Sequence, residues 1–334
     1  MKIINIKPVL LILPLLLFIN CKGQEKKENA KSENDIYAIG REIKRFNKEP
    51  NYGAYISTNN CSFEVLINDI PVIKHRDASG AGLSRSYFPI NWDITQEGTQ
   101  KVTVRLSPGF NQKTGSLFPA LMKNSAVEVV IVVSVPDKDG GSGDEEEIKV
   151  YSTPQKESQN KKTATYDGSP SFEDGFTFEA KVPYQIHTLA NAETLYTKDN
   201  DKLKTLEKEV VTKYNQIRDV YLKGSKDDLA NELYTSEKRT AQQLYSSPEE
   251  IKERWDNDYQ FRTDANLEFF DLKPIENYKL TFYANGKLVC LEKKNNEKSS
   301  LWGGFKRKDK AIGTTTYIRL YLYRPKKGAE LQVY

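Results

Sequence analysis

Few residues in this chain are suited to catalysis. There are two histidines, His75 and His187, too few for a three-histidine zinc site. No HExxH, CxxC or GxSxG spacing occurs to set a metal, a redox pair or a serine nucleophile. His75 lies in KHRDASGAGLSRS, residues 74–86, with Arg76, Asp77, Gly80, Gly82, Ser84 and Arg85. Glycines let main-chain N–H groups approach an anion, and Arg forks suit phosphate or carboxylate. His75, Arg76 and Arg85 are therefore candidate binding residues, although the same composition suits an ordinary loop between strands. The strand, the GK[ST] ending and the helix of a phosphate-binding loop are missing, as is the downstream Asn that would make His75-Arg76-Asp77 a kinase motif. A second suggestive stretch, PDKDGGSGDEEE at 136–147, fails as a calcium loop. Counted from Asp137, positions five, six and twelve hold Gly141, Ser142 and Ile148 where an acid or Asn, a Gly and a Glu are needed. It reads as a solvated hairpin tip.

Charge gives a further candidate. Between Lys287 and Lys327 there are 12 Lys or Arg against Glu292, Glu297 and Asp309, in a chain whose net charge is only +4. Trp302-Gly303-Gly304-Phe305 precedes Lys306-Arg307-Lys308, so two aromatics sit beside the densest charge. Trp302, Phe305, Lys306, Arg307 and Lys308 could contact an acidic protein, an anionic glycan or lipid headgroups. The alternative is that the lysines protect strand-connecting loops and Trp302 is packed beneath them. Glu253, Asp256, Asp258, Asp264 and Glu268 are available for acid–base work, but no pair stands out from a helix-surface composition. No catalytic residue, metal ligand or cofactor is assigned.

The elements that must position these groups begin with an address. Lys2 and Lys7 precede an apolar run, Val9 to Ile19, which at 11 residues with Pro14 inside it is short of the roughly 20 needed to span a bilayer. The segment resembles a bacterial lipoprotein signal. That resemblance implies removal of residues 1–20, acylation of Cys21 and anchoring in the lipid bilayer of the cell envelope, on its periplasmic or surface-exposed side; an ordinary cleaved signal or an uncleaved anchor are the alternatives. Residues 21–35 follow as a polar tether with one Ala and no larger apolar residue after the cysteine, too little to fold on. Export makes nucleic acid an unexpected partner. Cys61 and Cys290 are expected as two separate thiols rather than a bridge.

From 36 to 190 the pattern is that of β-structure. Ser62 to Ile67 alternates, turns at Asn68-Asp69 and resumes at Ile70 to Ile73. Lys101 to Leu106 alternates cleanly. Val127 to Val135, apolar at nearly every position, is the expected central strand, with Ile148 to Tyr151 as its partner. A polar run at 154–170 is followed by Phe172, Phe176 and Phe178, expected on a last strand. Together FEVLINDIPVI and PINWDITQEGTQKVTVRLSP, near 62–108, resemble the galactose-binding-like jelly-roll β-sandwiches. That resemblance implies architecture and no sugar.

From 191 to 334 the period changes. Leu203, Leu206, Val210, Tyr214, Ile217 and Tyr221 predict an amphipathic helix ended by Gly224. Leu229 and Leu233 start a second. Ser247-Pro248-Glu249-Glu250 caps a third, with Ile251, Trp255 and Tyr259 on one face. Strands are expected at Lys279–Tyr283, turning through Ala284-Asn285-Gly286-Lys287 into Leu288–Leu291, and at Thr314–Tyr323 and Leu331–Tyr334. The element order resembles the nuclear-transport-factor-2-like α+β superfamily, which implies a pocket. The expected architecture is thus an all-β, jelly-roll-like sandwich followed by an α+β domain with three helices and an antiparallel sheet. Three functional classes fit: a non-catalytic envelope lipoprotein binding a protein or glycan, an immunity-type lipoprotein neutralising a secreted toxin, and a hydrolase using C-terminal carboxylates.

Overall fold

The computed structural model describes residues 30–76, 82–111, 113–136, 143–158 and 161–334, with backbone alone at 158, 161 and 260–263. Residues Lys31–Tyr334 form one compact unit. The structure is α+β: antiparallel sheets with, among the described residues, four α-helices.

The chain enters through α1, Glu33–Ala38, whose Ser32 and Asp35 make a reciprocal capping box. Three residues assigned to the tether, 33–35, therefore belong to a helix. Composition alone does not reveal this, because α1 is stabilised by tertiary burial: Ile36, Ile39 and Ile43 pack on Leu229, Ile251 and Trp255 of the later helices. Next come β1 (Asn51–Asn59), β2 (Cys61–Ile67), β3 (Ile70–His75), β4 (Ser86–Pro89), β5 (Gly98–Pro108), β6 (Ala126–Ser134), β7 (Glu145–Ser152), β8 (Gln155–Ser158), β9 (Lys161–Ala164) and β10 (Phe172–Ala180). Two four-stranded sheets, ordered β4-β1-β6-β7 and β10-β5-β2-β3, share one core in which Ile56, Val129 and Ile131 of the first meet Phe63, Val65, Val102 and Val104 of the second. β6 lies inside its sheet, as expected. The 154–170 run is not polar filler: it holds the β8–β9 hairpin, and Tyr166 is buried with its hydroxyl 2.8 Å from both Ser125 O and Thr153 Oγ1.

Every residue of β2 is buried. Alternation alone would leave Ser62, Glu64 and Leu66 wet. Instead Leu66 and Ile70 pack beneath Tyr283, Leu288 and Cys290 from the C-terminal half. The β2–β3 turn, with Asn68 and Asp69 both at positive φ, also docks there: Ala284 N–H donates to Asp69 O and Asn285 N–H to Asp69 Oδ2, each at 2.8 Å.

The second half supplies α2 (Asn200–Lys223), α3 (Lys226–Gln243) and α4 (Pro248–Thr263), then β11 (Leu267–Leu272), β12 (Tyr278–Tyr283), β13 (Leu288–Lys293), β14 (Trp302–Arg307), β15 (Thr314–Tyr317), β16 (Leu322–Tyr323) and β17 (Gln332–Val333). Leu206, Val210, Tyr214 and Ile217 form the buried stripe of α2. The strands form two sheets, β11-β14-β15 and β12-β13-β16-β17, where one was expected. The predicted strand at 314–323 breaks at Ile318–Tyr321 because the chain crosses between them. At that crossing Arg319 donates to Pro71 O and Val72 O at 3.2 and 3.4 Å, covering carbonyls on the edge strand β3.

Candidate functional site

Cys21 lies outside the described residues, as do 77–81 of the 74–86 stretch. The remaining candidates there take different partners. His75 lies against Phe63, ring centroids 5.5 Å apart. Arg76 pairs with Glu297 at 3.3 Å. Arg85 serves the other sheet, pairing with Glu147 at 3.2 Å and lying 4.3 Å above the Tyr55 ring.

The predicted loop around Trp302 is strand β14. A Cβ at Gly303 would fall 1.8 Å from Asp271 O, so this glycine serves the close approach of β11. Trp302 stacks on Tyr317 with centroids 6.0 Å apart, and the Lys293 ammonium sits 3.4 Å above its ring. Phe305 is in register with Phe270 and Thr314. Lys306 pairs with Glu268 at 2.6 Å, Arg307 with Asp264 at 3.0 Å, and Lys308 donates to Ala265 O at 2.8 Å. The basic run is thus bound to β11 and its approach, and two carboxylate candidates are engaged in the same contacts. Asp256 accepts from Tyr37 at 2.8 Å and pairs with Lys252, while Glu253 and Asp258 are exposed.

The densest polar cluster lies where two hairpins meet. Strand periodicity puts Lys279, Thr281 and Tyr283 of β12 on one face with Cys290 and Glu292 of β13. Opposite stands the face of β2–β3 that pairs Glu64 with Lys74. Lys74 Nζ lies 3.1 Å from Glu292 Oε2 and 3.1 Å from Glu297 Oε2. Lys279 reaches Glu297 at 2.8 Å, and Thr281 Oγ1 donates to Glu292 at 3.0 Å. The Tyr283 hydroxyl is 2.9 Å from Glu64 Oε1 and 3.0 Å from Glu292 Oε1, while Arg105 holds the other Glu64 oxygen at 3.1 Å.

Over this cluster opens a cavity of about 310 Å³. Lys74, Arg76, Lys298 and Arg319 bring positive charge to its wall, Glu292 and Glu297 negative. Tyr214, Tyr283, Tyr317 and Tyr321 supply rings. Tyr214 is fixed by donating to Leu320 O at 2.6 Å and accepting from Leu291 N–H at 2.9 Å. Burial pulls the Glu297 carboxyl upward, but Lys279 and Lys74 outweigh it and hold it at about 2. Burial pulls Lys74 down, yet Glu292, Glu64 and Glu297 keep its ammonium above the usual lysine range. Burial raises the Cys290 thiol and the Tyr283 and Tyr321 phenols. These five groups therefore keep their protons, or their charges, through neutral pH. They suit hydrogen bonding to a polar ligand better than proton transfer. Cys61 and Cys290 are both buried and unbridged.

A second cavity, of about 260 Å³, adjoins Pro71, Arg319 and Tyr321 from the other side. Its wall includes Trp92, Asp93, Arg239 and Tyr334. Burial pushes the Asp93 carboxyl up to about 8 against the pull of Arg319 and Arg239. Asp93 lies in the PINWDITQEGTQKVTVRLSP stretch quoted for the sandwich resemblance, and only its acid type in an apolar setting, before Ile94, signals a buried carboxyl.

Among the described residues no group of three His, Cys, Asp or Glu is placed to hold a metal ion, and no helix is long and apolar enough to cross a membrane. Comparison with protein-family models, with curated proteins and with solved structures finds no match for this chain.

Proposed function

We propose that this protein is an exported lipoprotein, anchored at the cell envelope through acylated Cys21, that works as a non-catalytic binding module. Its ligand site is the cavity between the β2–β3 and β12–β13 hairpins, and its ligand is a small polar molecule. The observation that carries this reading is the wall of that cavity: paired cations and carboxylates, already fixed by one another, beside tyrosine rings in about 310 Å³. Such a wall offers donors, acceptors and apolar faces without a group poised to exchange a proton. The first two sheets, with their shared core, serve in this reading as a jelly-roll-like sandwich domain, and the later elements as an α+β domain that covers one face of it.

An acidic protein or anionic envelope glycan on the Trp302–Lys308 segment is a weaker candidate, since Lys306, Arg307 and Lys308 already have partners within the fold. No observation favours the immunity or hydrolase alternatives over binding.

Native mass spectrometry of the chain isolated from its own envelope fraction tests the site. A small molecule retained natively, released on denaturation and absent from a cavity-filling Ser299→Trp variant that still melts cooperatively is the expected result. Wild-type protein that carries nothing, and that no small polar metabolite stabilises in a thermal-shift panel, would sink it. Cys21→Ser tests the anchor separately: the variant should leave the membrane fraction and lose the mass of the acyl chains.

A further inference from the structure

Arg239 of α3 and Arg319 of the β15–β16 crossing converge on the second cavity from segments 80 positions apart in sequence. Neither is oriented by a carboxylate. Arg239 Nη1 donates to Trp92 O at 3.3 Å and to Gln243 Oε1 at 3.2 Å, and its guanidinium lies 3.8 Å from the centre of the Tyr334 ring. Arg319 is held by the carbonyls of Pro71 and Val72. Among the described residues neither takes part in an ion pair, in contrast to Lys74, Arg76, Arg105, Arg307 and Arg324. Arg239 Nε and Asp93 Oδ2 are both buried without a hydrogen-bond partner. Unmet buried donors and acceptors cost roughly 1–3 kcal/mol each, and here both belong to side chains that line one cavity.

We propose that the cavity between Asp93, Arg239 and Arg319 is a binding site for a small oxyanion, a carboxylate or a tetrahedral anion, which the two guanidiniums hold by charge-assisted hydrogen bonds. The site shares Pro71, Arg319 and Tyr321 with the wall of the cavity proposed above, but Asp93 and Arg239 belong to it alone of the two, and its test does not rest on that reading. Its charge balance fits. Two arginines face one acid, and burial keeps that acid largely protonated near neutral pH, so the cavity presents positive charge and a carboxyl O–H that can donate. The other titratable groups facing Asp93 are Tyr184, Tyr321 and Tyr334, all raised by burial and neutral in the same range. Above the Asp93 pKa the carboxylate would compete with the anion for the same guanidiniums. Affinity for the anion should therefore fall as pH rises.

Isothermal titration of the soluble chain lacking residues 1–20 with sodium sulfate and with sodium acetate, at matched ionic strength in chloride, tests this; neither probe titrates between pH 6 and about 9. One saturable site is expected for at least one probe, the planar or tetrahedral preference identifying the anion's shape. Arg239→Gln should weaken it about tenfold or more, the loss of a charge-assisted contact. In wild type the affinity should drop between pH 7 and 9, whereas Asp93→Asn should bind with no such drop. Chloride-insensitive failure of both probes to bind would overturn the proposal, as would binding unaffected by Arg239→Gln. Should Arg239→Gln not fold, the pH profiles of wild type and Asp93→Asn decide: two parallel profiles reject the site.

Discussion

The Tyr283 hydroxyl lies 2.9 Å from Glu64 Oε1, a contact that joins β12 to β2 across 219 positions of sequence. The same oxygen is 3.0 Å from Glu292 Oε1. One phenolic hydroxyl therefore sits between two buried carboxylates, Glu64 held further by Arg105 and Glu292 by Lys74 and Thr281. The ion network is continuous from the outer face of the second sheet to the cavity floor because this hydroxyl closes the gap between its two halves.

Tyr283→Phe should accordingly destabilise the chain by about 1–3 kcal/mol, since it removes a buried donor and leaves Glu64 Oε1 unmet, while Glu292 Oε1 keeps Lys74 at 3.2 Å. Urea unfolding at neutral pH measures it. In a Glu64→Gln background the same substitution should cost clearly less, because one of the two acceptors has lost its charge. Equal costs in both backgrounds would show that the hydroxyl does not act through Glu64.

Glu297 governs the acid limb of stability. Its folded carboxyl is held at about 2, against an ordinary 4.5. A depressed carboxyl contributes stability that is present above its unfolded value and is lost as pH falls through the folded one. Glu297→Gln should thus lower stability at neutral pH and flatten the loss that wild type shows between about pH 4.5 and 2. Thermal melts at a series of pH values check both parts; a variant whose acid slope matches wild type would show that the Lys74, Arg76 and Lys279 pairs hold no linkage to folding.

Local signals carried the reading of individual elements much further than the reading of the site. Ser247-Pro248-Glu250 announces the start of α4, and the structure shows that capping box with Pro in the first turn. Asn285-Gly286 announces a hairpin turn, and Ala284, Asn285 and Gly286 all take positive φ there. Both are rules acting over four residues. Glu64 is different: its neighbours alternate like those of a half-wet strand, and its burial depends on a hairpin more than two hundred residues later. The basic segment misled for a related reason. Lys306 and Arg307 look unopposed along the chain because Glu268 and Asp264 are opposite them only once β11 pairs with β14. Asp93 and Arg239 belong to no spacing motif; the fold alone makes them neighbours.

The helical layer depends on Trp255. It is fully buried against Ile36, Ile39 and Leu229, so Trp255→Ala should cost about 3–5 kcal/mol. Its indole N–H has no hydrogen-bond partner. Trp255→Phe loses volume but no bond and should cost distinctly less, about 1–2 kcal/mol. Chemical denaturation of both variants measures the pair; near-equal losses would mean that the indole nitrogen does more than fill space.

Asp93 should set the alkaline limb. Burial raises its carboxyl from 3.8 to about 8 in the folded chain. For a group raised on folding, the contribution is fully present below the unfolded pKa and is lost as pH rises through the folded one. Wild-type stability should therefore decline steadily from about pH 4 to about pH 8, as the unfolded chain ionises a carboxyl that the folded chain keeps protonated, and level off above. Asp93→Asn carries no ionisable proton, so it should remove that decline and be at least as stable as wild type at pH 8 to 9, where wild type must either bury a charge or lose the fold. Denaturant midpoints across this range, read for both proteins, decide it. A wild-type midpoint that is flat from pH 5 to 8, or an Asp93→Asn curve of the same slope, would place the Asp93 carboxylate in a fully ionised pairing with Arg239 and Arg319 instead. Sulfate or acetate should then find those guanidiniums already occupied.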